Sequence, residues 1–595
     1  MKSTGQKTSA FAFRSLIRLW PWLRPNKGLV VVGTSLIPVV ALISMFQPLA
    51  VRRAIDDGIL KGDLNAVMKW AFVCLGLSFA SYIFNVIQML TTSTAVHRMI
   101  RDLRITLVSH ILRLAPSWHD HQISGALTTR ATSDFDTLSD SLNQGVLSSI
   151  IDVMVLIGCI GGMFILSSKL AITAVFILPL MTWLVIWFSK KLNHAMLSSR
   201  KSLSALNGFT QEALTSLNAV KLLNAEPGVT KRFNYYNVEY RDAQLQNVYF
   251  DSLMFATIDG ISSITLGIVL FIAIKGLGIG GFLGASDGIT AGVMVAFVQY
   301  IQQLFDPLKQ LGSKMAMLQG TFTSMERIFG LLDRQDKVHG DKPVNWPKAV
   351  DIVFDHVSFS YKKDNKDTGD ILRDVSFRAP AGTSLAIIGS TGSGKSTLVK
   401  LMTKLYDGYR GKIAIGGESI ADYRPEDVRL HMGIVPQDIV LFEGSIAFNI
   451  GLGRDNVTRD AIIKAGKIVG ADLFVDQLPE TWDFKVREHG SNLSHGQRQL
   501  IVFARALIGG PPVLILDEAT SSIDPQSEAL IQAATEKLLA GRTVIVIAHR
   551  LATIKKCNSV LVLEHGVVVE HGTPDDLKKA GGRYSELTSI AASML

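Results

Sequence analysis

The sequence predicts two domains of different class, an α-helical membrane domain with six transmembrane helices followed by an α/β domain. Its 595 residues are enough for at least two domains. Long apolar runs are confined to the first part of the chain, whereas short apolar strands alternate with helical patterns after residue 350. In that second part, the pattern G-x-x-x-x-G-K-[ST] stands at 389–396 between an apolar strand and a helix. This context predicts an α/β domain of the P-loop NTPase type.

Composition favours a membrane protein over a nucleic-acid-binding protein. Apolar residues make up 48% of the chain and charged residues only 19%, although the net charge is +9. The basic residues concentrate on one side of the apolar runs, so they indicate membrane topology rather than a nucleic-acid footprint. Cys74, Cys159 and Cys557 lie far apart, a spacing that predicts neither a disulfide framework nor a cysteine metal site.

Six apolar runs each approach the roughly 20 residues that span a bilayer. They lie at 28–50, 66–90, 145–167, 170–189, 252–275 and 288–308. The third and fourth runs are nearly contiguous, which predicts a tight hairpin. The two long connections, 92–144 and 190–248, have helical periodicity, and helices of about 25 residues there would extend about 35–40 Å from the membrane.

The distribution of Lys and Arg predicts the orientation of the chain. Basic residues are frequent before residue 28 and in both long connections. The positive-inside rule therefore puts both termini, both long connections and the α/β domain in the cytoplasm, below an inner or plasma membrane. Segment 11–23 mixes Phe, Trp and Leu with Arg. It predicts an interfacial elbow helix in a cytoplasmic N-terminus at 1–27, with a disordered tail as the alternative. No cleaved signal peptide is expected, because an apolar core with a small-residue cleavage site is missing.

Hydropathy falls at 331–350, where Gly, Pro and charged residues occur together. This composition predicts a linker, so the membrane domain is expected at 28–330 and the nucleotide-binding domain at 351–595. Asp152 and Asp259 lie inside predicted spans, where a carboxylate is costly and needs polar surroundings. One interpretation is substrate contact or proton coupling. The other is a hydrogen-bonded residue near a span end, or one that faces a wet cavity.

The phosphate loop supplies the first candidate site residues. Its glycines let backbone N–H groups turn towards phosphate oxygens, and the N-terminus of the following helix adds a partial positive charge. Lys395 is expected to reach the β- and γ-phosphates of ATP, and the Ser396 hydroxyl is expected to ligate Mg²⁺. The candidate nucleotide ligands are Gly389, Ser390, Thr391, Gly392, Ser393, Gly394, Lys395, Ser396 and Thr397.

Other candidate residues stand at the ends of further predicted strands. The apolar stretch 511–517 ends at Asp517, which is expected to hold the Mg²⁺ shell, and the adjacent Glu518 is suited to act as a general base on water. The stretch 543–548 ends before His549, at the carboxyl end of a strand where α/β ligand sites form. A lone histidine there is more often structural, but beside the other motifs a γ-phosphate contact is predicted. Tyr361, after an upstream strand, either stacks on adenine or packs in the domain.

With these motifs on one chain, the sequence closely resembles the ATP-binding cassette (ABC) exporters, which fuse six membrane helices to one nucleotide-binding domain. The Gln loop of that family matches 435–438, the signature matches 493–497 (LSHGQ), the D-loop matches 521–524 and the exporter X-loop resembles 486–490. The resemblance implies a catalytic and metal-binding role for Gln437. The further nucleotide contacts that it implies are Tyr361, Ser494, Gly496, Gln497 and Asp524.

The membrane half resembles the same exporters at 124–130, and at Asp134, Glu212, Lys221 and Glu226. The resemblance implies alternating access: ATP closes two cassettes on each other, helices at the tips of the long connections transmit the motion, and hydrolysis resets the cavity. ATP and Mg²⁺ are the implied cofactors. In this family the phosphate loop and the signature of one domain face different nucleotides. A second half-transporter is therefore implied, with a homodimer expected and a heterodimer left open.

His495 departs from the family, which usually has a second glycine in the signature. The side chain is either accommodated or weakens the site shared with the partner, and the retained Ser494 and Gly496 favour accommodation. The expected function is ATP-driven export or flipping of hydrophobic or amphipathic drugs or lipids. Membrane lipids are expected partners, and no nucleic-acid partner is expected. A dedicated lipid or lipopeptide flippase is one alternative. An ATP-gated channel or regulatory half-subunit is another, against which Glu518 and His549 argue. The fusion to membrane spans disfavours an importer and a soluble cassette.

Overall fold

A computed structural model describes residues 17–120, 122, 124–276, 289–336, 338–361, 369–454, 456–517, 525–539, 541–548 and 551–593. The chain divides into two compact units. The first comprises Met1–Leu112 and Ile123–Arg334, and the second comprises Arg113–Gln122 and Gln335–Leu595. Each unit is described separately.

The first unit consists of long helices joined by short segments. Its helices are α1 (Trp20–Leu23), α2 (Lys27–Arg53), α3 (Leu64–Arg113), α5 (Ser124–Ala131), α6 (Ser133–Asp140), α7 (Ser148–Leu166), α8 (Ser168–Thr215), α9 (Leu217–Leu222), α10 (Glu226–Gly276) and α11 (Ala291–Leu332). Two π-helical segments lie at Ala54–Ile59 after α2 and at Ser141–Leu147 before α7, and a short 3-10 helix lies at Arg24–Asn26. Helices α3, α8 and α10 run far beyond the predicted spans, as the periodicity of the long connections predicts.

Among the described residues, five helical segments are long and apolar enough to cross a membrane. They are Trp20–Ile59, Leu64–Arg113, Leu127–Leu166, Ser168–Thr215 and Glu226–Ala273, and they contain the first five predicted spans almost completely. The sixth prediction, at 288–308, falls on α11, which is not among them. Gln299, Gln302, Gln303 and Asp306 lower the hydropathy of that stretch. The sixth span therefore stays a prediction.

The hairpin between the third and fourth spans is as tight as the sequence indicates. Helix α7 ends at Leu166 and α8 begins at Ser168, so Ser167 alone joins them in an extended conformation. Behind this hairpin, Tyr300 of α11 is fully buried and its hydroxyl donates a hydrogen bond to the backbone carbonyl of Met45. A Cβ atom at Gly162 would lie only 2.5 Å from the Tyr300 ring carbon Cζ. Glycine is therefore required where α7 and α11 approach each other.

Both aspartates of the predicted spans, Asp152 and Asp259, have lysine partners on α11. The carboxylate of Asp152 accepts from the ammonium of Lys314, and the Lys309 ammonium lies 2.8 Å from Asp259 and 3.3 Å from Asp306. A paired carboxylate avoids much of the desolvation cost of an isolated charge in the membrane. The expectation of a polar partner is met, and the partner in each case is a cation that lies just beyond the sixth predicted span.

The N-terminal segment contacts the C-terminal end of α11. The Arg18 guanidinium forms a two-pronged ion pair with the Asp333 carboxylate, with distances of 2.6 and 3.0 Å, and stacks 4.3 Å above the Phe329 ring. Trp22 lies beside the same ring, with centroids 6.2 Å apart. Residues 11–16 of the predicted elbow helix lie outside the described residues. The described remainder includes the short helix α1, and its interfacial location stays a prediction.

The second unit is built on three β-sheets. The strands are β1 (Ile352–Phe359), β2 (Leu372–Ala379), β3 (Ser384–Ile388), β4 (Arg410–Ile415), β5 (Glu418–Ser419), β6 (Met432–Val435), β7 (Gly444–Ser445), β8 (Lys485–Val486), β9 (Val513–Asp517), β10 (Thr543–Ile547), β11 (Ser559–Glu564) and β12 (Val567–Gly572). Strands in the order β2-β1-β4-β5 form an antiparallel sheet, and those in the order β12-β11-β3-β10-β9-β6 form the central sheet. Strands β7 and β8 form a separate small sheet.

Helices surround the sheets of the second unit. They are α4 (Pro116–His119), α12 (Lys395–Met402), α13 (Pro425–Leu430), α14 (Ile446–Gly451), α15 (Arg459–Val469), α16 (Asp472–Val475), α17 (His495–Leu507), α18 (Pro525–Leu539), α19 (Leu551–Ile554), α20 (Pro574–Ala580) and α21 (Arg583–Ser593). Strands β3 and β10 are buried along their whole length, as expected for parallel strands covered on both faces.

Segment 113–122, the tip of the first long connection, belongs to this second unit. The Tyr406 hydroxyl donates to the Asp120 carboxylate, and the backbone N–H of Ala115 donates to the Asp336 carbonyl at 2.8 Å. The tip therefore has specific polar contacts with other residues of the unit that contains the phosphate loop.

Candidate nucleotide-binding site

Four parallel strands deliver their carboxyl ends to one edge of the central sheet. Strand β10 pairs in parallel with β3 and with β9, and β9 pairs in parallel with β6. The segments that leave these strands therefore start side by side. They are the phosphate loop after β3, the residues after β10 and β9, and the Gln loop after β6. A ligand site at this edge is the usual position in open α/β sheets.

A cavity of about 380 Å³ opens at this edge. Two residues that the sequence did not indicate, Ile371 and Ile547, contribute apolar surface. The predicted site residues that line it are Thr391, Gly392, Ser393, Gly394, Lys395, Ser396, Thr397, Gln437 and Asp517. The structure thus brings together side chains that are up to 126 residues apart in sequence, taking Thr391 and Asp517 as the extremes.

The backbone of the phosphate loop requires glycine at two of its turns. Gly389 has φ +154°, and a Cβ atom there would collide with the backbone carbonyl of Leu563. Gly394, the N-cap of α12, has φ +105°, and its Cβ would lie 2.7 Å from a methyl carbon of Leu372. These positive angles exclude most side chains. The loop can therefore curve tightly over the start of α12, with the backbone N–H groups available to an anion.

Lys395 is held inside the curve of the loop. Its side chain is buried, and the ammonium donates to the carbonyls of Gly389 at 2.8 Å and Ser390 at 2.9 Å. Burial lowers the pKa of Lys395, and the Asp517 carboxylate acts in the opposite direction. The two carbonyls orient a cation at the centre of the loop, where phosphate oxygens would compensate its charge.

The cavity also fits the predicted magnesium ion. Ser396, Gln437 and Asp517 contribute a hydroxyl, a carboxamide and a carboxylate to its wall, and such oxygen ligands suit Mg²⁺ in nucleotide sites. The Ser393 hydroxyl oxygen is buried and has no hydrogen-bond partner among the described residues. A buried polar atom without a partner is costly, and a phosphate in the cavity would supply one.

Tyr361 lies next to the phosphate loop rather than in the cavity wall. Its hydroxyl is 3.2 Å from the Thr397 hydroxyl, and the Lys400 ammonium lies 5.2 Å from the ring centroid. Phe359 and Tyr406 contact the ring edge-on at 5.1 Å each. Packing and adenine stacking are compatible here, since these contacts fix the ring beside the helix that begins at Lys395.

The signature residues form the N-terminus of α17 and do not line this cavity. Ser494 is the N-cap, and its hydroxyl accepts from the Gln497 N–H at 3.2 Å while its own N–H donates to the Gln497 side chain at 2.9 Å. This capping box satisfies two helix-end donors. Ser494 is exposed, Gly496 is buried, and His495 is the half-buried first residue of the helix.

Glu518, Asp524 and His549 lie outside the described residues. Asp517, which precedes Glu518, lines the cavity, and so does Ile547, two residues before His549. The roles assigned to the three residues from sequence remain predictions.

Comparison with known families gives two matches in one chain. The description "ABC transporter transmembrane region" matches residues 30–308, and "ABC transporter" matches residues 372–521.

Relatives are similar over nearly the whole chain. An uncharacterized ABC transporter ATP-binding protein of Bacillus subtilis is 33% identical over 592 residues, covering 98% of this chain and 95% of its own length. The ATP-dependent lipid A-core flippase of Haemophilus influenzae is 31% identical, with 98% of both chains covered. A putative multidrug export ATP-binding/permease protein of Staphylococcus aureus is 32% identical, with 92% of this chain and 95% of that protein covered.

Among solved structures, a bacterial Atm1-family ABC exporter with ATP bound is similar, with a TM-score of 0.77 and 26% sequence identity. The alignment covers 95% of this chain and 98% of that exporter. The similarity therefore includes both the helical unit and the phosphate-loop unit.

Proposed function

The chain belongs to the ABC transporters and is an ATP-hydrolysing integral membrane protein, and on that premise we propose that it exports or flips hydrophobic or amphipathic drugs or lipids. The observation that carries this proposal is the combination on one chain of apolar spans with a phosphate-loop cavity. Relatives named for lipid A-core flipping and for multidrug export support both substrate types.

The residues around the cavity would divide the chemistry between them. Lys395 and the loop N–H groups would hold the β- and γ-phosphates, and Ser396, Gln437 and Asp517 would hold Mg²⁺, which supplies charge neutralisation during phosphoryl transfer. Glu518 would orient and deprotonate the attacking water. His549 would contact the γ-phosphate, and Tyr361 would stack on adenine.

Transport by alternating access requires two copies of these parts. The signature residues Ser494, Gly496 and Gln497, with Asp524, would contact the nucleotide held by the phosphate loop of a partner. A second copy of this chain is the proposed partner, because each of the two copies would then contribute a cavity whose residues have the chemistry for ATP binding. An inner or plasma membrane with the nucleotide-binding domain in the cytoplasm is the proposed location.

Lys395→Ala is expected to weaken ATP binding at least about tenfold, because each lost charge-assisted hydrogen bond to phosphate is worth about 1.5–3 kcal/mol. ATP affinity, ATPase activity and transport of a lipid and cationic-drug panel would be measured in proteoliposomes. Lys412→Ala, at an exposed position of strand β4, is the control and should match the unsubstituted protein. ATP-dependent ion currents without substrate accumulation would contradict export and support a gated channel.

The proposed orientation is tested by labelling single cysteines in a background without the three native ones. A cysteine at Gly62, in the exposed turn before α3, is expected to react with an impermeant maleimide in intact cells. A cysteine at Leu217, at the start of α9, is expected to react only after permeabilisation. Equal labelling of both in intact cells would contradict this topology.

A further inference from the structure

A second cavity, inside the helical unit, has no role in the function described so far. It measures about 590 Å³ and lies between α3, the start of α7 with the π-helical segment before it, and α11. We call it the polar cavity. Its wall includes residues of the second and third predicted spans, near the ends from which the long connections leave.

The wall of the polar cavity is rich in side-chain amides. Each carboxamide offers both hydrogen-bond donors and acceptors. The five that line the cavity are Asn85, Gln88, Asn143, Gln144 and Gln310. Apolar side chains such as Met89, Leu147 and Ile151 alternate with them. This mixture matches an amphipathic ligand, with a polar group that makes many hydrogen bonds and an adjoining apolar part.

The π-helical segment Ser141–Leu147 shapes one side of this wall. It contributes Asn143, Gln144 and Leu147. A π-helical turn inserts an extra residue, is rare, and occurs frequently at functional sites. Within the described part of the chain, the side-chain amides of Asn143 and Gln144 have no hydrogen-bond partner and are available to a ligand. The helix geometry and the amide content therefore point independently to a binding surface.

Charge in the polar cavity is already balanced. Lys314 is the one charged residue among the described lining residues, it is nine-tenths buried, and its ammonium is paired with Asp152. An anionic ligand would have to withdraw the ammonium from Asp152, which would leave a poorly hydrated carboxylate unpaired. A cationic ligand would find the Asp152 carboxylate already paired with Lys314. Binding of either charged ligand is therefore costly, because the dielectric constant of this region is low.

We propose that the polar cavity binds the uncharged, hydroxyl- or amide-rich head group of an amphipathic molecule, and that the Asp152–Lys314 pair excludes charged head groups. The inference rests on the proposed export of amphipathic substrates and names the head group that this site selects. Glycosyl and peptide-amide head groups have the required chemistry, because both offer several uncharged donors and acceptors.

The test uses three amphiphiles that share a dodecyl chain: dodecyl maltoside, dodecyl sulfate and dodecyltrimethylammonium. Each is added below its micellar concentration to the full chain in nanodiscs, and the concentration for half-maximal change in ATPase activity is measured. The maltoside is expected to act at a concentration at least about tenfold lower than either charged amphiphile. An equal or stronger response to a charged amphiphile would overturn the proposal.

Charge variants make the test specific to the polar cavity. Asp152→Asn leaves the Lys314 cation uncompensated, and should shift the preference at least about tenfold towards dodecyl sulfate. Lys314→Gln should shift it towards the trimethylammonium compound. The double variant restores neutrality and with it the preference for maltoside. An unchanged ranking in the single variants would overturn the proposal, and so would a preference of the double variant for a charged amphiphile.

Amide removal completes the series. Gln144→Leu should raise the half-maximal maltoside concentration about fivefold, as expected for one lost hydrogen bond of about 1 kcal/mol. Gln246→Leu, an exposed carboxamide on α10 outside the cavity, should leave it unchanged. Equal effects of the two would count against the cavity. Absence of ATPase activity in every nanodisc sample would instead contradict the proposed transporter function, so the two failures are distinguishable.

Discussion

Replacing Glu518 by glutamine is expected to preserve Mg-ATP binding and to lower ATP turnover about 10²–10⁴-fold, the usual effect of removing a general base. Glu518 directly follows Asp517, whose side chain lines the phosphate-loop cavity. A carboxylate that begins at this position can accept a proton from water at the γ-phosphate, whereas the amide of glutamine cannot. Binding is expected to be preserved because the proposed phosphate ligands are other residues, chiefly Lys395 and the loop backbone.

The measurement is ATPase activity of the purified protein in nanodiscs, with ATP affinity determined separately on the same samples. Glu528→Gln, an exposed position on α18, is the matched control and should retain full turnover. Near-normal turnover in the Glu518 variant would remove this residue from the proposed role. Loss of ATP affinity together with turnover would instead indicate that Glu518 supports the structure of the site.

The phosphate-loop domain could be predicted from sequence because its signals are local. The strand before the loop reads as an uninterrupted apolar run, and β3 is buried at every position. The motifs follow strands that lie side by side in parallel in the order β3-β10-β9-β6, so their carboxyl ends share one sheet edge, and Gln437 and Ser396 both line the cavity there. Ile371 was missed because an isoleucine near a turn carries no chemical signal.

The membrane half was predictable in outline and not in its contacts. Span lengths follow from hydropathy, but α11, which holds the sixth predicted span, contains several amides, and its hydropathy falls short of that of a membrane span. The Lys314–Asp152 pair joins residues 162 positions apart, a separation that only the packing of helices resolves. The π-helical turn at Ser141–Leu147 also escaped prediction, since an inserted residue leaves no distinct pattern in a short apolar helix.

A dominant effect is expected when Ser494 is replaced by arginine. Ser494 is exposed at the N-terminus of α17 and is separate from the cavity of its own chain. In the proposed homodimer this position faces the γ-phosphate held by the partner. An arginine side chain there is too bulky for the closed interface. Because the two nucleotide-binding domains close together, one such arginine is expected to inactivate both composite sites of a mixed dimer.

The measurement is ATPase activity after co-expression of normal and Ser494→Arg chains with different affinity tags, at equal amounts. Random pairing leaves about one quarter of the dimers with two normal chains, so activity per total chain should fall to about one quarter. Independent monomers would retain about one half. Activity near one half, with a monodisperse monomer in the same preparation, would contradict the dimer.

A matched control separates this effect from simple loss of a helix cap. The Ser494 hydroxyl caps α17, and removing such a cap costs about 1 kcal/mol of stability. Thr573 caps α20 in the same way, accepting from the Asp576 N–H at 3.3 Å. Thr573→Arg therefore produces a comparable cap loss away from the proposed interface, and mixtures that contain it should keep nearly full activity. If the chain expressed alone is inactive and a different half-transporter restores its activity, the partner is a heterologous chain, and Ser494→Arg should then abolish activity in that pair.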